Sequence, residues 1–313
     1  MIQRRSILKT ACLAIPSVVA CPLYAAQDKE LAIGLSLPLT GPQAEVAKDL
    51  LAGYELAVKS TGSKLRLKVL DDESSPEKTA ANMTVFAASP EVIVVSGIVG
   101  TPHAQAALPV LAQAGIPVVG IRSGASILRS GQPGVYHLRA SFEDELDKVA
   151  RTCQGAGINN LIIVYSDDSF GKSSKAHLTQ KVDSLGMKIM SSYAVNRNGE
   201  KMSEALELVG ADVKRFNVAV AVVLLLIAKP MVQAAQELRI NHHVLMPTYA
   251  LSFVATRSLM NSTEKALSGL GLVTAFPLAR TIENPLAHQF KTDIKNFNAM
   301  ELSESLTAIE GYF

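Results

Sequence analysis

Two loops concentrate the side chains and backbone donors that could hold a small molecule. The first, Ser96-Gly97-Ile98-Val99-Gly100-Thr101-Pro102, follows the apolar run Val92 to Val95 and leads into a helical pattern ending at Gly115. The second, Arg122-Ser123-Gly124-Ala125-Ser126, follows the strand-like Ile116-Pro117-Val118-Val119. The hydroxyls of Thr101 and Ser123, with the backbone N–H groups that a helix start leaves free, suit an anion such as a carboxylate. Thr101-Pro102 has the form of a helix start, with Thr101 as N-cap and Pro102 at the first helical position, where a missing N–H costs nothing. Ordinary capped βα loops share this composition, so these stretches alone fix no function.

Other clusters carry less chemistry. Asp71-Asp72-Glu73 sits at a predicted strand end without a histidine, and reads as a solvated capping loop rather than a metal site. Asp167-Asp168, just before Ser169, is expected to cap the next helix. His242 and His243 are adjacent instead of four apart, and no cysteine or acid completes a ligand set, so no metal is expected. His103, in the helix after Thr101-Pro102, is expected to face solvent rather than the cleft. The chain has no Gly-x-Ser-x-Gly elbow and no Gly-x-x-x-x-Gly-Lys loop. Nor does a Gly-x-Gly-x-x-Gly follow a strand; Gly269-Leu270-Gly271 lacks the third glycine. Neither catalysis nor a cofactor is expected.

The elements that must position these loops alternate regularly. Strand-like runs at Leu31–Leu37, Leu65–Leu70, Val92–Val95, Ile116–Val119 and Val135–Leu138 are separated by helical patterns, and a second series begins near Glu143. In that series strands are predicted at Leu161–Tyr165, Lys188–Ala194, Val218–Ile227, His243–Met246 and Leu270–Ala275. Alternation of this kind means α/β lobes with doubly wound parallel sheets, and two series mean two lobes with a cleft between them. The 313 residues suffice for both cores, and 48% of them are apolar. The formal charge of +2 comes from Arg4, Arg5 and Lys9; the rest of the chain holds 27 basic against 28 acidic residues, which argues against nucleic acid as a partner. The apolar run Val218 to Ala228, 11 residues long, is too short to span a bilayer.

The first 26 residues read as a signal peptide: Arg4-Arg5, an apolar stretch from Ala11 to Ala20, and cleavage near Ala25 or Ala26. A twin-arginine motif, Arg4-Arg5-Ser6-Ile7-Leu8-Lys9, and a lipoprotein-like box ending at Cys21 are possible refinements, and a soluble periplasmic product is preferred. The mature chain then keeps Cys153 alone, expected to be a small buried hydrophobe on a helix rather than a catalytic thiol.

The motifs in order are Leu37-Pro38-Leu39-Thr40-Gly41-Pro42, Leu70-Asp71-Asp72 with Pro76, Gly100-Thr101-Pro102, and Gly124-Ala125 with Leu128-Arg129. Leu138-Arg139-Ala140-Ser141-Phe142, Tyr165-Ser166-Asp167-Asp168-Ser169-Phe170-Gly171 and Glu310-Gly311-Tyr312 follow. Their order and spacing resemble the type I periplasmic solute-binding proteins of the branched-chain amino acid receptor kind, over Leu31 to Phe313. The resemblance implies two Rossmann-like lobes joined by hinge strands: 27–139 with 276–313, and 140–275. It puts Thr101 on the ligand carboxylate, Ser123, Gly124 and Ala125 in the second binding loop, and Phe170 over the ligand from the other lobe. Tyr249, in the loop Pro247-Thr248-Tyr249-Ala250, is a further contact, and Arg139, Ala140 and Ser141 form the first hinge crossover, with Phe276 to Arg280 as the return. The implied partners are a small molecule and an inner-membrane ABC permease, with the protein a monomer.

Three departures stand out. Alanine precedes Lys229-Pro230 where relatives carry an aromatic. The 247–250 loop has no carboxylate for a ligand ammonium, which disfavours an α-amino acid, since an unpaired buried charge is strongly destabilising. Relatives also continue beyond Glu-Gly-Tyr, so the first lobe is expected to be truncated at Phe313. The reading is a periplasmic receptor for a small amino-acid-like, carboxylate or amide solute of an ABC importer; a sensory receptor passing occupancy to a signalling partner is the alternative.

Overall fold

The computed structural model describes residues 30–260, 267–276, 284–303 and 305–313. The expected signal segment with Cys21, and residues 277–280 of the expected return crossover, lie outside the described residues.

The first series builds β1 (Ala32–Leu37), α1 (Ala44–Ser60), β2 (Arg66–Asp71), α2 (Pro76–Ala87), β3 (Val92–Ser96), α3 (Thr101–Ala114), β4 (Val118–Val119) and β5 (Val135–Tyr136). Its five strands form a parallel sheet in the order β2-β1-β3-β4-β5. The second series builds α4 (Phe142–Gly155), β6 (Asn160–Ser166), α5 (Ser169–Ser184), β7 (Lys188–Val195), α6 (Met202–Phe216) and β8 (Val220–Leu225). It continues through α7 (Ala228–Ile240), β9 (Thr248–Ala250), α8 (Arg257–Met260) and β10 (Leu270–Leu272). Those strands also run parallel, in the order β10-β9-β8-β6-β7. The expected α/β architecture of two doubly wound lobes is thus present.

Local sequence explains the element ends. Ser75, Asp168, Asn284 and Ser305 each accept a backbone N–H at a helix start, and Ser141 with Asp144 forms a reciprocal capping box on α4. Strand β8, Val-Ala-Val-Val-Leu-Leu, is buried at every position, as an interior strand of a sheet covered on both faces must be.

The prediction fails at one strand. His243–Met246 forms no strand, with His243 in the left-handed region (φ 53°) and Leu245 exposed, and the ladder resumes only at β9. Thr248 and Ala250 pair there with Val222 and Leu224 of β8, so the predicted 247–250 loop holds a strand. An apolar run without a facing strand does not make a ladder.

After β10 the described chain resumes in α9 (Pro285–Asn296) and ends in α10 (Leu306–Tyr312). Helix α10 packs on α1 so closely that a Cβ at Gly53 would stand 2.1 Å from the Ala308 carbonyl oxygen, and one at Gly311 2.2 Å from that of Leu50. Only glycine permits this backbone contact. Phe290, Ile294, Leu306 and Ile309 fill the space beneath it. Elsewhere one continuous apolar cluster, from Leu35 and Ile98 through Phe142 to Leu224, runs through both lobes.

Candidate functional site

The carboxyl ends of both parallel sheets meet at one seam, the position at which open α/β sheets bind ligands. From the first lobe come Gln43, after β1; Val99, Gly100 and Thr101, after β3; and Arg122, after β4. From the second come Phe142 at the start of α4, Phe170 at the start of α5, Arg197 after β7, Ile227 after β8 and Phe253 after β9. They enclose a cavity of about 10 Å³, no more than one water molecule needs.

Thr101 and Ser123 are brought together as their composition suggested, both buried, with their hydroxyls 2.8 Å apart. Thr101 does not cap α3, however. Gly100 takes that position at φ 106°, and Thr101 is the first helical residue, which frees its hydroxyl for Ser123. A Cβ at Gly100 would stand 3.0 Å from Nη2 of Arg197, so the glycine lets the second lobe's guanidinium approach the start of α3.

Gly124 and Ala125 lie one step behind the cavity wall. The Gly124 carbonyl accepts the Phe142 N–H at 2.9 Å, and the Ala125 N–H donates to the Ser123 hydroxyl at 3.2 Å. The loop therefore braces Ser123 and joins the start of the second lobe.

Phe170 reaches the seam and packs edge-on against two rings that local sequence did not single out. Its ring centre is 5.0 Å from that of Phe142 and 4.8 Å from that of Phe253, with Phe142 and Phe253 5.5 Å apart. Such edge-to-face contacts add about 0.5–1.5 kcal/mol per pair beyond burial. Tyr249 does not join them. Its ring lies over Gly271 in a groove with Val149 and Thr152 of α4, near the buried Cys153. The side chain of a strand residue points to one face of the sheet, and here that face carries α4.

Arg139, Ala140 and Ser141 occupy the connection between β5 and α4. Arg139 is buried and pairs with Glu145 of α4 at 3.0 Å and with Glu310 of α10 at 3.3 Å, and it donates to the Ser252 hydroxyl. Arg122 pairs with Glu310 at 2.9 Å and donates to the Phe253 carbonyl at 2.7 Å and to the Thr307 hydroxyl at 2.9 Å. Two arginines and two carboxylates therefore link the first lobe, the crossover and the loop after β9. Burial opposes the charge on Arg139, but the carboxylates of Glu310 and Glu145 outweigh it and raise its pKa. Burial shifts the Glu145 pKa upward, against the pull of Arg139 and of the Ser252 donors.

His103 is fully buried rather than solvent-facing, and neither ring nitrogen completes a hydrogen bond. Burial pushes its pKa down to about 4, and the Arg197 guanidinium acts in the same direction. Asp72 is likewise buried, accepting from Ser36 and Thr79 at 3.2 Å each and from the Ser74 N–H at 3.0 Å. Asp168 caps α5 as expected and also pairs with Arg197. Cys153 is a buried residue of α4 whose thiol burial pushes up to about 11. Among the described residues no group of three metal-ligating side chains occurs, and no helix is long and apolar enough to cross a membrane.

Comparison with known proteins agrees with this architecture. A substrate-binding periplasmic protein from Ralstonia solanacearum superposes with a TM-score of 0.81 at 25% identity, over 90% of this chain and 81% of that one. A possible leucine/isoleucine/valine-binding protein from Rhodopirellula baltica gives 0.78 at 25% identity, over 90% and 78%. The Leu/Ile/Val-binding protein homolog 6 of Brucella abortus is 27% identical over 163 residues, half of this chain and 40% of that protein's length. The profile of a family of periplasmic binding proteins, which hold substrates rather than convert them, matches residues 30–313. This chain belongs to the periplasmic binding protein family.

Proposed function

We propose that this protein captures a small solute between its two lobes and presents it to the permease of an ABC importer. The observation that carries the reading is the seam itself, where Thr101 from one lobe, its hydroxyl held by Ser123, and Phe170 from the other border the same cavity. A space of about 10 Å³ admits no solute, so capture requires the lobes to part and then close. Closure over a solute is what a permease can recognise, because the solute's contacts shift the open–closed equilibrium. The start of α3, with the Thr101 hydroxyl held by Ser123, is the part of the wall suited to the solute's polar end. Phe142, Phe170 and Phe253 suit its apolar body. Two of the relatives are named for leucine, isoleucine and valine, small molecules that combine these two features. Arg139 to Ser141 serve as a hinge in this reading, and residues 1–26 as the signal that sends the chain to the periplasm.

Thermal-shift screening against amino acids, short carboxylates, aromatic acids and amides tests the proposal. A solute at a hundred times its Kd stabilises the folded form by about 2.7 kcal/mol. At least one class is expected to raise Tm by several degrees. A flat response across all classes contradicts solute capture.

A further inference from the structure

Among the residues that line the seam cavity, the buried side-chain atoms left without a hydrogen bond are all donors. Gln43 is buried, lines the cavity, and its Nε2 has no hydrogen-bond partner. Arg197 lines it too, with Nε unpartnered, while Nη1 pairs with Asp168. Thr101 lines it as well, its hydroxyl 2.8 Å from that of Ser123 behind it. These groups come from two loops of the first lobe and one of the second, so their convergence is not a feature of one helix end.

No acceptor of matching strength faces them. Among the described residues no carboxylate lines the cavity, whereas two guanidinium groups, Arg122 and Arg197, do. The acids nearby already have partners: Asp168 has Arg197, Glu310 has Arg122 and Arg139, and Glu145 has Arg139 and Ser252. An ammonium group brought here would meet donors and find no unpaired carboxylate to balance it. A carboxylate would meet complementary groups on every polar wall, and charge-assisted hydrogen bonds of that kind are the strong ones. The rest of the wall is apolar, three phenylalanine rings with Val99 and Ile227.

We propose that the solute is an apolar monocarboxylate without an ammonium group, a 2-oxo acid or an aromatic acid. This rests on the reading that the solute sits between the lobes, and narrows it. Gln43 and Arg197 are the residues that select against amino acids: both donate to the carboxylate or the adjacent carbonyl, and neither offers a counter-charge to an ammonium.

Matched pairs of solutes test the inference on the unaltered protein. Calorimetry compares L-leucine with 4-methyl-2-oxopentanoate and L-phenylalanine with phenylpyruvate, with benzoate and 4-methylpentanamide alongside. At least one oxo acid or benzoate is expected to bind at least a hundredfold more tightly than either amino acid and the amide. An amino acid binding within tenfold of its oxo counterpart, or the amide binding best, overturns the solute class and leaves capture between the lobes intact. Heat from no solute of any class overturns both. The Gln43→Glu variant adds a gain-of-function readout, with circular dichroism confirming its fold. It is expected to lose at least tenfold in affinity for the oxo acid and to approach parity between the members of a pair; an unchanged preference removes Gln43 from the site.

Discussion

Thr101 shows what a residue type can and cannot convey. Its place beside glycine and proline at a strand end marks it for a ligand or a cap, and the packed chain uses the hydroxyl toward Ser123. Phe170 could be identified because its Asp-Ser-Phe-Gly turn resembles a family motif. Gln43, Arg197 and Phe253 had no such local mark, since each becomes a wall residue only when loops of both lobes converge. His103 and Asp72 depart from expectation for the same reason: a polar residue near a loop reads as solvated, but here each is covered by distant neighbours. Their burial has opposite consequences for pH. His103, with a pKa of about 4 against 6.5 unfolded, takes up its proton more readily in the unfolded chain, so its contribution falls as pH drops from about 6.5 to 4. Asp72, with a pKa of about 6 against 3.8, takes up its proton more readily in the folded chain, so its contribution is present at acid pH and lost as pH rises through 6. Each effect amounts to about 3 kcal/mol at 1.36 kcal/mol per pH unit. Urea midpoints between pH 4 and 6.5 are expected to fall more steeply on acidification in Asp72→Asn than in the unaltered chain, and less steeply in His103→Gln. Parallel curves for all three contradict the burial of these groups.

Among the elements, hydropathy patterning identified nearly every strand and helix, because parallel strands buried on both faces form unmistakable apolar runs. The exception at His243–Met246 shows the limit, since a short run needs a partner in register to become a strand. The terminal Glu-Gly-Tyr motif was visible as a motif but not as a mechanism. Glu310 pairs with two arginines, Gly311 permits contact with the Leu50 carbonyl, and Tyr312 donates to Asp293. Because both helices bring backbone to the crossing, neither can yield as a flexible side chain would. Gly311→Ala is expected to destabilise the protein by about 1–3 kcal/mol or more, the range for overpacking, and Gly53→Ala by a similar amount. Gly62→Ala meets nothing within 4 Å but sits at φ +60°, so it serves as a control for backbone strain without a clash. Chemical denaturation distinguishes them; a Gly311→Ala loss no larger than that of Gly62→Ala rules out the tight crossing.

At the scale of the whole molecule, the lobes are joined by the chain at Arg139 to Ser141 and by the buried charges around it. Arg139 touches the crossover's two neighbours at once, Glu145 in one lobe and Glu310 in the other. A sequence lists these residues far apart and gives no sign that they share one buried network. Breaking a buried ion pair from one side leaves an uncompensated charge, so Arg139→Met is expected to cost about 3–5 kcal/mol, with part of the loss restored by Glu145→Leu in the same chain. Urea denaturation of the single and double variants measures this, and a double variant weaker than the sum of the two singles contradicts charge pairing as the cause. The central claim is that one solute is gripped from both lobes. Calorimetry with the carboxylate that binds best, on the unaltered chain, Thr101→Ala and Phe170→Ala, tests it most directly. The account predicts that each variant stays folded and loses affinity, by about 1–3 kcal/mol for Thr101→Ala as a lost hydrogen bond to a charged group. Unchanged affinity in either variant would mean that the solute is held elsewhere.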